Sequence, residues 1–242
     1  MKRPVAFYML LIMASIFLFF FLNLVLGSVS IPLRAVWNIL WGTGNESVIW
    51  QNIIWKSRVP QALTALVAGA GLSVSGLQMQ TVFRNPLAGP SVLGISSGAS
   101  MGVAFVVLLS GSLGGVALSK LGFMGEIALT IAAIAGSLSI MALIVFVSQK
   151  VRGNVTLLII GVMIGYIANA VIGVLKLFSV EEDIRAYDIW WLGSFARVSG
   201  VQRTLYICIM VVLLLLSLLR YKILIFFYVC DAFAWAFMLI LS

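Results

Sequence analysis

The chain has 242 residues, of which 63% are apolar and only 9% charged, and its mean hydropathy is +1.19. A soluble domain carries about 25% charged residues, so this composition excludes one and implies a polytopic membrane protein. The net charge of +8 suits anionic headgroups and orientation by loop charge; it does not suggest a nucleic acid, which would need a basic face on a soluble domain.

A membrane-crossing helix needs about 20 apolar residues. Charge-free windows of that order fall at 5–27, 60–83, 91–110, 127–149, 154–175 and, shorter, 204–219; a further apolar run at 223–241 is interrupted by Asp231. The first window follows Met1-Lys2-Arg3 but is longer than a signal-peptide core, and no small-residue cleavage site follows, so a retained helix is expected. Residues 28–59 hold Trp37, Trp41, Trp50 and Trp55 among aliphatic side chains. Indoles favour the headgroup layer, so one or two helices lying on the outer surface are expected there.

The next stretch, from Arg58 to Gly102, is rich in Gly, Ser and Ala and is broken by Arg84-Asn85-Pro86. Small residues let membrane helices approach closely, and the Asn85-Pro86 break reads as a turn between two packed helices. Ala65, Gly69 and Ser73 recur at i, i+4, i+8 on one helix, Gly94, Gly98 and Gly102 do so on the next, and Gly161 and Gly165 pair on a later one. These faces predict helix–helix contact, or surfaces that slide in a transport cycle. Gln78 and Gln80 stand at the interface or line a polar path. Residues 179–203 open with Glu181-Glu182-Asp183 and continue through Trp190-Trp191, as a solvated connector with an aromatic anchor or a landing surface for a partner. Lys2, Arg3, Arg84, Lys150, Arg152, Arg220 and Lys222 are concentrated in short segments on one side, whereas the other eight of the 15 Lys/Arg are spread over longer loops; by this density a cytoplasmic N terminus is expected.

Missing chemistry is equally informative. No lysine follows a glycine, so a Walker A phosphate loop is excluded. The chain has no histidine, which removes the commonest metal ligand and near-neutral proton carrier. The middles of the first six windows hold no ionisable group of the kind that proton-driven carriers keep at membrane depth. Cys208 and Cys230 sit in apolar surroundings and read as small hydrophobes. No catalytic residue, cofactor or metal site is expected.

Arg58-Val59-Pro60, Gly69-Ala70, Ser75-Gly76, Gln80, Arg84-Asn85-Pro86-Leu87-Ala88, Leu93-Gly94-Ile95-Ser96-Ser97-Gly98-Ala99 and Trp191-Leu192-Gly193-Ser194-Phe195 together resemble the FecCD-type permeases. These are the membrane subunits of ABC importers for iron–siderophore complexes, haem and vitamin B12. The resemblance implies an all-α transmembrane bundle in the plasma (inner) membrane, with about six to seven of roughly ten helices in this chain at about 20 residues each. It also implies a second permease subunit, cytoplasmic ABC ATPase subunits and an extracytoplasmic substrate-binding protein. Arg58 matches a basic position that meets acidic groups of the binding protein, although Gln61 stands where many relatives have another arginine. Asp231 and Ala234 resemble a remnant of the element that couples to the ATPase, which makes 220–242 a degraded coupling region within a single permease domain, 1–242. The alternative reading is a truncated, transport-inactive remnant or scaffold.

Overall fold

The computed structural model describes residues 5–43, 46–112, 123–151, 153–195 and 203–219. Among these the chain is all-α, as expected. Its helices are α1 (Val5–Val25), α2 (Leu33–Trp41), α3 (Val48–Ile53), α4 (Val59–Phe83), α5 (Ile95–Ser112), α6 (Phe123–Ser148), α7 (Asn154–Leu177), α8 (Glu181–Leu192) and α9 (Arg203–Leu219). Four of the described helical runs are long and apolar enough to cross a membrane: α1, the continuous run Val48–Phe83, α6 and α7. The apolar parts of α5 and α9 are shorter.

One difference from the sequence reading lies at Pro60. Helix is not initiated there; it already runs from Val48. A proline inside a helix lacks an N–H and crowds the carbonyl four residues back. Here the turn before it, Ile54–Arg58, is widened to π-helix, and the Val59 N–H reaches the Ile54 carbonyl. The wider turn absorbs the proline without breaking the run.

The chain divides into two compact units. The first comprises residues 1–71 and 194–216. Its core is built from Leu24 of α1, Ile31, Ala35, Val36 and Ile39 in and before α2, Ile54 and Ala62. The expected surface helices of 28–59 are α2 and α3. α2 buries Ala35, Val36 and Ile39 and exposes Leu33, Arg34, Trp37 and Trp41, the two-faced pattern of an interfacial helix. Trp37 stacks on Phe21 of α1 at 6.5 Å between ring centroids. Ser47 caps α3 by accepting from the Trp50 N–H.

The second unit comprises 72–193 and 217–242. Within it, α5 is the central helix, lying against α6, α7 and α8. One core cluster joins Phe83, Ala88 and Leu93 to Ile140, Ile144 and Leu158. Another joins Val103, Ala104, Val107 and Leu108 of α5 to Ile172 of α7 and Tyr187 of α8.

Candidate functional site

The segment from Arg58 to Gly102 begins with a buried cation. Arg58 is 5% exposed. Its Nη1 donates to the carbonyls of Leu24 (2.7 Å) and Val25 (2.8 Å), and its Nη2 donates to the carbonyl of Val29. The last carbonyls of a helix lack intrahelical partners and carry the negative end of its dipole. The guanidinium therefore closes the end of α1, where backbone dipoles offset its charge. Gly27 makes room for it: a Cβ at that position would lie 2.8 Å from Arg58 Nη2. Arg58, expected at a docking surface, is turned inward because these carbonyls satisfy its fork of donors. The exposed cations nearby in sequence are Arg34 and Lys56.

α4 ends in a helix stop that explains the Arg84-Asn85-Pro86 break. Arg84 adopts φ +49°, its N–H reaches the Thr81 carbonyl, and the Asn85 N–H reaches the Gln80 carbonyl. These are the two bonds of a Schellman cap, with arginine in the left-handed position that glycine more often takes. Asn85 Oδ1 then accepts from the Leu87 N–H at 2.9 Å, holding Pro86 in a tight turn, as the sequence predicts. Asn154, the first residue of α7, donates from Nδ2 to the Phe83 carbonyl at 3.4 Å and ties this turn to α7.

Beyond the turn, glycines set the distances between helices. Gly94 sits just before α5 with φ +72°, and a Cβ there would be 2.8 Å from the Gly161 carbonyl oxygen. A Cβ at Gly98 would be 2.7 Å from the Gly136 carbonyl oxygen, and one at Gly102 only 2.2 Å from that of Ala132. In return, a Cβ at Gly136 would be 2.2 Å from the Gly98 carbonyl oxygen. The backbones of α5 and α6 touch here. Gly94, Gly98 and Gly102 thus make the close contacts that their spacing predicts, with Gly161 and Gly165 of α7 and with Gly136 of α6. Gly136 is the partner that sequence reasoning did not single out.

The corresponding stripe on α4 behaves differently. Gly69 and Ser73 are exposed, and a Cβ at Gly69 would meet nothing within 4 Å. Gln78 donates from Nε2 to the hydroxyl of Ser217 on α9, whereas the side chain of Gln80 is exposed. Asp231 and Ala234, like the whole of 220–242, lie outside the described residues.

Within 179–203, read as a solvated connector or a landing surface, Glu181–Leu192 forms α8. Asp183 and Tyr187 turn inward, one helical turn apart, while Glu181 and Glu182 remain exposed. Lys176 at the end of α7 binds Asp188 at 2.6 Å and lies 5.0 Å from the centre of the Tyr187 ring. The Ser179 hydroxyl is shared between the carbonyls of Leu175 (2.7 Å) and Leu108 (3.2 Å). The corner from α7 to α8 is thereby fastened to α5.

Long apolar helices, glycine crossings at van der Waals limits and a Pro-broken turn define the class: a polytopic α-helical membrane protein. The sequence matches the FecCD transport family over residues 14–228, and the chain belongs to that family. It is 35% identical over 174 residues to the hemin transport system permease protein HmuU of Yersinia pestis, covering 71% of this chain and 48% of that protein. It is also 35% identical over 180 residues to the vitamin B12 import system permease protein BtuC of Serratia proteamaculans, covering 74% and 50% respectively. A solved structure described as an inward-facing ABC transporter of metal-chelate type superposes with a TM-score of 0.59 at 26% identity, covering 86% of this chain and 58% of that one. The chain spans about half the length of the curated relatives it matches.

Proposed function

We propose that the chain is the membrane-spanning permease part of an ABC importer for a haem, corrinoid or iron–siderophore type of chelate. Separate cytoplasmic ATPase subunits would drive it and an extracytoplasmic binding protein would supply it, with a second permease subunit completing the path. The observation that carries this reading is the family match over 14–228, which contains the whole Arg58–Gly102 block. Its chemistry agrees. The sequence has no Walker A loop and no carboxylate, lysine, arginine or histidine in the middle of its first six apolar windows, so neither nucleotide hydrolysis nor proton coupling is built into those spans. Energy then enters through a partner.

On this reading the N terminus is cytoplasmic and 1–242 works as one permease domain, with 28–59 and 179–203 on the outer side. Docking of the binding protein falls to exposed Arg34 and Lys56, and Arg58 holds the end of α1 that supports them. Gly69, Ser73, Gln78 and Gln80 of α4 line the path or meet the second subunit, and 220–242, with Asp231 and Ala234, faces the ATPase. Affinity purification of the tagged chain from membranes that also express its cognate ATPase tests the assignment. The ATPase is expected to co-purify in stoichiometric amounts; a chain recovered repeatedly without it would contradict the proposal.

A further inference from the structure

α8 holds a carboxyl group that the transport reading does not use. Asp183, the third residue of that helix, is 5% exposed, and its Oδ2 has no hydrogen-bond partner among the described residues. One turn further on, Tyr187 is 3% exposed and packs into the cluster formed with Val103, Val107, Leu108 and Ile172. Asp183 therefore lies on the face by which α8 is docked. A carboxylate oxygen removed from water without a donor is costly to leave charged, and taking up a proton relieves that cost.

We propose that Asp183 carries its proton while α8 is docked on α5, and that ionisation loosens the first turns of α8, making this corner a proton-sensitive latch. Burial pushes the Asp183 carboxyl above the usual carboxylate range, and the neighbouring Glu182 charge pushes it the same way. The packed elements offer little to oppose this. α5 has no ionisable side chain, and α6 carries Glu126 in its first turn. α7 carries Tyr166 and Lys176, and Lys176 is held by Asp188 over the Tyr187 ring. On α8 itself, Glu181, Glu182 and Arg185 are exposed.

The sign follows from linkage. The folded-state value is raised, so the docked helix binds the proton more tightly than the undocked one. The resulting stabilisation is fully present below the ordinary carboxylate value, about pH 4, and is lost as pH rises through the raised value. Hydrogen–deuterium exchange of the 181–192 segment in the purified full chain, compared at each pH with Asp183→Asn, tests the latch. Relative to that variant, wild-type exchange is expected to quicken as pH rises, by about tenfold for each unit by which the carboxyl is raised. At pH values above the ordinary carboxylate range where wild-type α8 is still protected, the infrared band of a protonated carboxylic acid is expected in wild type and is expected to be lost in Asp183→Asn. Asp183→Leu provides a second neutral side chain of similar size. A wild-type to variant ratio that is flat with pH would overturn the proposal. So would loss of α8 protection in both variants, because the ionised carboxylate would then be what holds the helix.

Discussion

Arg58→Ala is expected to destabilise the chain by about 3 kcal/mol in thermal or denaturant unfolding of the purified protein in detergent. Hydrogen bonds to a charged group contribute about 1.5–3 kcal/mol each in net terms, and Arg58 donates to the carbonyls of Leu24, Val25 and Val29. The gain from no longer burying a cation offsets part of their sum. What remains is the cost of a cavity beside Ile54 and Leu24 and of carbonyls stranded at the end of α1. Arg58→Lys should recover only a fraction, because a lysine ammonium is a compact point donor on a flexible stem and cannot reproduce the planar fork. Gly27→Val should imitate the loss from the other side, since even a Cβ there stands 2.8 Å from Nη2. Equal stability of wild type and Arg58→Ala would mean that the clamp does not hold α1.

The second large effect is expected at the crossing of α5 and α6. Gly102→Leu and Gly136→Val should each cost at least about 3 kcal/mol, the upper end of ordinary overpacking. The obstacle in both cases is backbone: the Ala132 carbonyl oxygen at 2.2 Å from one Cβ and the Gly98 carbonyl oxygen at 2.2 Å from the other. Flexible side chains can swing aside, but two helix backbones can separate only together. Separation would also strip cover from Val103 and Ala104. Gly69→Ala is the contrasting case. Nothing lies within 4 Å of its Cβ, and alanine is favoured over glycine in a helix by about 1 kcal/mol, so the same unfolding measurement should show no loss. If Gly69→Ala and Gly102→Leu proved equally harmful, the helix crossing assigned here would be wrong.

Much of this architecture was legible in the residues themselves. The apolar windows locate most ends of the long helices to within a few residues, because a segment without charges has few options other than crossing a membrane; the exception is the run ending at Phe83, which begins already at Val48. The turn at Asn85-Pro86 and the contacts of Gly94, Gly98 and Gly102 follow from local chemistry and from i, i+4 geometry. Gly136 escaped notice because a single glycine within an apolar helix displays no spacing, and its role depends on which helix lies across it. Arg58 was misplaced for a related reason. An arginine ahead of Val59-Pro60 looks like a surface cation until the end of α1 is known to pass over it, and Gly27 is the only local hint of that. The inward turn of Asp183 was within reach, since Asp183, Tyr187 and Trp190 share the i, i+4, i+7 face of one helix. A run of three acids suggested a solvated loop instead, and helical phase decides which of them faces in.

Family membership rests on residues 14–228, and import powered by a partner is the activity proposed from it. The decisive measurement is uptake of radiolabelled haem, cobalamin and a ferric siderophore into proteoliposomes holding the chain with its cognate ATPase and binding protein. One of these chelates is expected to accumulate only when ATP and the binding protein are both present, and a proton gradient imposed without ATP is expected to drive none. Accumulation without ATP, or driven by the proton gradient alone, would contradict the account.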